Sequence, residues 1–325
     1  MVDGFLAESK ITVLGGDYGV GKSPLIADLV LHITNGLDWC GRKVEKRPVI
    51  HFDFETPATK YKEDLENGAK RLGIPVPSVP QMLEPLFQHD DNKEPGTARL
   101  IEALDSDEKS FALLEELLDR KPNAVVIFDP IELFVSMDKN DGKGIVRLYR
   151  RLRKLFTRYP HAAVLCTFNL KKTDKKAAKP NLLADPRGWL DEVSGAKEIM
   201  SRSDFRLGID FFDDEQIVRV INGIERGGPS EPLLIQPAGE PEAGFEQCHP
   251  DRFRLEDIFS ARQLDYWHRL PESFTHYDAR RLGIPKSSLS RVMNRAKSVG
   301  LLRSENGKWV KTVRAGSPGK LELVD

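Results

Sequence analysis

Short apolar runs alternate along most of the chain with longer segments in which apolar residues recur at helical spacing. The first run, residues 11–14, breaks at Gly15 and Gly16. Beyond Lys22 and Ser23, apolar positions at Leu25, Ile26, Leu29, Val30 and Ile33 predict a helix over residues 24–33. Pro24 suits its first turn, where a missing N–H is no loss and φ is already set. Residues 48–55 (PVIHFDFE) predict a strand, stopped by Thr56-Pro57 and followed by a charged helix to about residue 72. Residues 73–97, rich in Pro and acid, predict an irregular excursion with one short strand near Leu86 and Phe87. Helices over 109–119 and 143–158 and strands over 124–129, 162–167, 205–211 and 217–224 complete the pattern. The run at 124–129 is nearly all apolar, as a strand covered on both faces must be. Strands alternating with helices predict an α/β fold with a predominantly parallel sheet.

Around residues 236–255 the composition shifts to Pro, Gly and Glu. The expected organisation is a first domain over 1–236, a linker over 237–255 and a second domain over 256–325. A length of 325 residues fits about two domains. The net charge of −1 hides an asymmetry: residues 251–325 hold 15 Lys and Arg against 9 Asp and Glu. That basic tail predicts an anionic partner. No apolar run approaches the roughly 18 residues that span a bilayer, and the N-terminus lacks a signal-peptide pattern. Cys40, Cys166 and Cys248 are far apart and never in C-x-x-C spacing, so neither a disulfide framework nor a zinc site is expected. Cys248-His249, with no second pair nearby, reads as chance adjacency. A cytoplasmic protein is the expectation.

Gly16-Asp17-Tyr18-Gly19-Val20-Gly21-Lys22-Ser23 fits G-x-x-x-x-G-K-[ST] between a strand and a helix that opens with Pro24. Glycines there let backbone N–H groups turn inward around phosphate oxygens, and the following helix adds its positive end. Lys22 is expected to reach the β- and γ-phosphates of ATP, and the Ser23 hydroxyl to ligate Mg2+. Asp129, ending a buried strand, is the candidate second metal ligand, acting through water. Glu55 is the candidate general base for an attacking water. Asp53 is its rival, on the same side of the strand by alternation, with Glu55 nearer the strand end.

The order of P-loop, strand ending in Asp53-Phe54-Glu55 and strand ending in Asp129-Pro130 resembles the RecA-like ATPases. Within these it is most similar to the RepA/DnaB-type helicase ATPases of phages and plasmids, over roughly residues 5–236. Asp138, Asn140 and Asp141 resemble the family's loop after the Walker-B strand. Residues 167–171 (TFNLK) stand where relatives carry a His-rich sensor and a Lys, and Arg226-Gly227-Gly228-Pro229 resembles the family's Arg-x-Gly-Pro element. The resemblance implies that Glu55 is the catalytic glutamate, Asp129 the Walker-B acid and Asn169 the γ-phosphate sensor. It implies that Arg226 is an arginine finger donated to a neighbouring subunit, hence a ring or filament, with a homo-hexamer favoured; Arg202 is a second candidate. Two positions depart from the pattern: Asn169 replaces the sensor His, and Ile224 stands where relatives place a phosphate-contacting Lys.

Lys171, Lys172, Lys175, Lys176 and Lys179 crowd one segment after the 162–167 strand. In RecA-like rings that loop lines the channel, where lysines would track single-stranded DNA; a solvated loop is the alternative. Arg147, Arg150, Arg151, Arg153, Lys154 and Arg158 make the preceding helix basic, which reads as a solvent-exposed face. In the tail, a helix over 275–282, a turn at Gly283-Ile284, a second helix from Pro285 to about Ser298 and a hairpin over 303–313 resemble a winged helix-turn-helix. Lys286, Ser287, Ser288, Ser290 and Arg291 suit a duplex major groove, while Leu289, Val292 and Ala296 are expected to face the core. Use of the same unit for protein contacts is the alternative. The combined expectation is an ATP-hydrolysing DNA helicase or translocase of a replicating phage, plasmid or mobile element. The alternatives are an ATPase that loads or remodels proteins on DNA, and an ATP-gated DNA-binding regulator.

Overall fold

A computed structural model of the chain describes residues 1–77, 81–87, 104, 106–134, 143–170, 182–183, 185–192, 201–212, 216–225, 228–230, 232–239, 243–248, 255, 259–298, 301–305, 307–311, 313–315 and 321–323. The continuous apolar runs become central parallel strands because both of their faces must be covered, and less apolar segments (LEPLF and FRLGIDF) flank them as half-buried parallel strands. These are β1 (Ile11–Gly16), β2 (Val49–Asp53), β3 (Leu83–Phe87), β4 (Val125–Asp129), β5 (Ala163–Asn169) and β6 (Phe205–Phe211), in the spatial order β3-β2-β4-β5-β1-β6. The helices are α1 (Lys22–Asn35), α2 (Ala58–Leu72), α3 (Glu108–Arg120) and α4 (Lys143–Arg158). Strand alternation sorts the core into two layers. Val49, Val125, Ile127 and Leu165 pack with Leu25 and Leu29 of α1 and Tyr61 and Leu65 of α2. Ile50, Phe52, Val126, Phe128 and Val164 pack with Leu114 and Leu117 of α3 and Leu148 and Leu152 of α4. The fold is therefore a RecA-like α/β core with a mostly parallel sheet between two helical layers.

Past β6 the sheet turns antiparallel through β7 (Arg219–Glu225), β9 (Leu233–Pro237) and β10 (Phe245–Gln247), with β8 (Gly228–Pro229) paired to β7. Strand β10 lies inside the segment expected to be a linker over 237–255. Only Phe245 of its three residues is buried, so no alternation announced it. A short helix, α5 (Pro186–Glu192), is held on β6 by buried Trp189, whose indole N–H donates to Asp210 at 2.8 Å. A second difference matters for the site: the strand expected over 48–55 stops at Asp53. Asp53 Oδ1 accepts the backbone N–H groups of Glu55 at 3.1 Å and Thr56 at 2.8 Å, which turns the chain out of the ladder. Asp53 and Glu55 thus do not share a strand face.

The C-terminal unit runs helix Ala261–Arg269, β11 (Ser273–Phe274), helix His276–Arg281, helix Lys286–Ser298, β12 (Leu302–Glu305) and β13 (Lys308–Lys311). The strands form an antiparallel sheet in the order β11-β13-β12. Capping boxes at Ser260/Gln263 and Thr275/Asp278 start the first two helices, and Gly283 at φ 72° allows the turn into the third. Leu289, Val292 and Ala296 are buried beside Trp267 and Phe274, as expected from their spacing. A two-stranded pairing, β14 (Val313–Ala315) with β15 (Leu321–Leu323), follows. Among the described residues no helix is long and apolar enough to cross a membrane.

Candidate functional site

The carboxyl ends of β2, β4, β5 and β1 lie side by side, and the loops leaving them carry the chemistry. Between β1 and α1 the chain turns through Gly19 at φ 82° and Gly21 at φ 98°, left-handed conformations that glycine adopts without strain. Gly21 is the cap of α1, so that helix opens directly on the loop and presents free N–H groups there. Val20 N–H donates to Asp17 O at 3.3 Å within the turn, and Pro24 sits in the first turn of α1 as expected. Tyr18 is the exposed tip, 87% accessible. Lys22 is buried and curls over its own loop, donating to Gly16 O at 2.9 Å and Asp17 O at 3.0 Å. Burial lowers the pKa of its ammonium group, while Asp129, Glu55, Glu132 and Asp17 pull it back up.

Three carboxylates face this lysine. Asp129 is buried at the end of β4; the Thr167 hydroxyl donates to its Oδ1, and the Ser23 hydroxyl lies against the same carboxyl. Burial pushes its pKa up, and those hydroxyls and Lys22 oppose the shift. Glu55, exposed beyond β2, accepts a hydrogen bond from Asn169 Nδ2 at 2.9 Å. The third carboxylate, Glu132, was not singled out from the sequence. It sits in a 3-10 turn (Ile131–Phe134) just after Asp129-Pro130, and its Oε1 accepts the backbone N–H of Asn169 at 2.8 Å. Burial pushes Glu132 up to about 7. Asp53 is raised to about 6, by burial and then by the nearby Asp129. The structure thus brings Lys22, Ser23, Glu55, Asp129 and Asn169 together, and places Asp53 beneath the site as a backbone-turning group.

Arg219 of β7 also belongs to the site, although no motif marks it in the sequence. Its Nε donates to Val20 O at 2.7 Å, and its guanidinium lies 5.2 Å from the Phe211 ring centre and 5.3 Å from that of Phe245. The antiparallel extension of the sheet therefore braces the phosphate loop from outside. The basic helix α4 has ordinary partners: Arg151 pairs with Glu108 at 2.8 Å, Arg153 with Asp204 at 2.6 Å and Arg158 with Asp119 at 2.7 Å. Arg202 is exposed. Arg226 and Gly227, the lysines at 171, 172, 175, 176 and 179, and Asp138, Asn140 and Asp141 lie outside the described residues. In the C-terminal unit Lys286, Ser287 and Arg291 are exposed and Ser288 is half-buried on the helix Lys286–Ser298.

A glycine-turned loop opening onto a helix, a lysine over that loop and an acid at the end of a neighbouring strand define a P-loop ATPase with a RecA-like core. The chain belongs to the AAA domain family, whose match covers residues 1–175, more than half its length. No curated protein matches it. The match spans every residue of the cradle and its carboxylates, from Gly16 to Asn169. The donor set fits Mg2+: the Ser23 hydroxyl and the Asp129 carboxylate, whose buried Oδ2 completes no hydrogen bond, are hard oxygen ligands.

Proposed function

We propose that the chain is an ATP-hydrolysing DNA helicase or translocase, with the nucleotide held by residues 16–24 and DNA engaged by both the core and the C-terminal unit. One observation carries the catalytic part: Glu55 is held by Asn169 at the mouth of the P-loop, within the electrostatic reach of Lys22. Lys22, freed from Gly16 O and Asp17 O, neutralises the β- and γ-phosphate oxygens. Mg2+, when bound through Ser23 and Asp129, supplies further neutralisation of those oxygens. Glu55 orients the attacking water and takes its proton, and Asn169 hydrogen-bonds the γ-phosphate. Glu132 fixes Asn169 through its backbone N–H. Arg226 is proposed as the finger acting on a neighbouring subunit's nucleotide in a homo-hexamer.

The DNA part rests on the C-terminal unit. Its order of elements and its three-stranded sheet support a winged helix-turn-helix, with Lys286, Ser287, Ser288 and Arg291 toward a duplex major groove. Lys171, Lys172, Lys175 and Lys176 are proposed to follow single-stranded DNA in the channel. Replication of a phage, plasmid or mobile element is the proposed setting. The test is the ATPase rate with and without single-stranded DNA, followed by strand separation of a forked duplex. Stimulated hydrolysis with unwinding is expected. Stimulation without unwinding would favour a loader or remodeller, and tight duplex binding without stimulation an ATP-gated regulator.

A further inference from the structure

Below the P-loop, on the sheet face that carries α1 and α2, three side chains converge whose roles the ATPase reading does not exhaust. His51 and Asp53 are two apart on β2 and so point to one face, and Asp53 is the register partner of Asp129 on β4. Each of the three is only 1% exposed. Each offers a metal-ligating atom, and these atoms all lie within 4.8 Å of one another. Their hydrogen bonds leave one atom of each unused. Asp53 Oδ1 is taken by the N–H groups of Glu55 and Thr56, and Oδ2 has no partner. Asp129 Oδ1 is taken by Thr167, and Oδ2 completes no hydrogen bond. His51 Nδ1 meets the Tyr61 hydroxyl at 2.8 Å, and Nε2 has no partner. With Nδ1 as the donor in that pair, Nε2 presents a bare lone pair held in orientation by Tyr61, the arrangement in which a ligating imidazole is fixed by its other nitrogen.

Two neighbouring carboxylates buried away from water repel each other unless a proton or a cation stands between them. An imidazole at the same place cannot serve Mg2+ well, but nitrogen with two carboxylate oxygens suits a first-row transition ion. We propose that His51, Asp53 and Asp129 form a nucleotide-independent site for a divalent transition-metal ion. It shares Asp129 with the site of the Mg2+ that accompanies the triphosphate, and differs from that site in including a nitrogen ligand and in needing no phosphate oxygen. Through Asp53, which also holds the N–H groups of Glu55 and Thr56, the ion fixes the point where the chain leaves β2 and hence where Glu55 stands.

The probe is Mn2+ added to the full chain without nucleotide, followed by electron paramagnetic resonance. One ion per chain is expected, with spin-echo modulation from a coordinated imidazole nitrogen. His51→Gln should remove that modulation and weaken binding at least tenfold; Asp53→Asn should weaken binding while keeping the nitrogen signal of any ion still held. Absence of a nitrogen signal in the unaltered protein overturns the proposal without recourse to any variant. So does Mn2+ that binds only together with ATP, which would assign the ion to the triphosphate site and leave the ATPase reading intact. Nitrogen modulation that survives His51→Gln overturns it as well.

Discussion

Glu55, just beyond β2, and Asn169, at the end of β5, are 114 positions apart in the chain, yet the amide donates to the carboxylate at 2.9 Å. Replacing the carboxylate with an amide keeps the shape and removes the base. Glu55→Gln should therefore bind ATP as the unaltered chain does and lose about 10²- to 10⁴-fold in turnover, read by single-turnover hydrolysis. Undiminished hydrolysis would reassign the base, with Glu132 the next carboxylate in line. The raised carboxyls give a pH dependence of stability. In the unfolded chain Asp53 and Glu132 lose their protons near 3.8 and 4.5, whereas in the folded chain they keep them to about 6 and about 7. Folding takes up protons across that window, so their contribution to stability is full below about 4, falls as pH rises and levels off above about 7. Thermal melts of the nucleotide-free protein should show that decline, and a shallower one for Glu132→Gln. Of these residues, the P-loop set, Asp129 and Glu55 were proposed from motif and strand-end position, and Asn169 from the family resemblance alone. Glu132 was not, because a 3-10 turn, which has no apolar periodicity of its own, folds it back onto Asn169.

The elements themselves differ in how plainly they are written. β1, β2, β4 and β5 are read at once from runs such as Val125 to Phe128, because a strand covered on both faces is mostly apolar, most of the few polar residues here gathering toward the carboxyl ends that form the site. β8 and β10 escaped, since two- and three-residue strands at an edge bury too little to leave a pattern, and Gly228-Pro229 looks like a turn. Arg219 lies on β7, a strand the pattern does predict, but no motif marks the contact of its guanidinium with Val20 O, so the brace on the phosphate loop was not legible. That brace makes Gly21 doubly constrained: it sits at φ 98°, and a Cβ there would lie 3.2 Å from Arg219 Nε. Gly21→Ala should cost roughly 1–2 kcal/mol in the loop's bound conformation, appearing as about a tenfold or greater loss of ATP affinity in a fluorescent-nucleotide titration with helix content preserved. At the other end of the chain, Ser260→Ala removes half of a capping box and about 1 kcal/mol. Hydrogen exchange over residues 261–269 should accelerate by about fivefold, while β1 and β4 stay protected.

On the scale of the whole molecule, the near-neutral net charge conceals a basic segment over residues 251–325 that follows an acidic remainder of the chain. The helix Lys286–Ser298 presents Lys286, Ser287 and Arg291 to solvent while Leu289, Val292 and Ala296 are buried. If that face meets phosphates, Lys286→Ala or Arg291→Ala should each lower the slope of log binding constant against log salt by about 1 for duplex DNA. An unchanged slope would turn the unit toward protein contacts.

All of this depends on the loop over residues 16–23 gripping a triphosphate. Calorimetric titration of the chain with Mg–ATP, beside the same titration of Lys22→Ala, addresses that most directly. Saturable binding of one nucleotide per chain, lost on replacing Lys22, is the expected result. No heat with the unaltered protein, or equal binding by the variant, would contradict the assignment of this site.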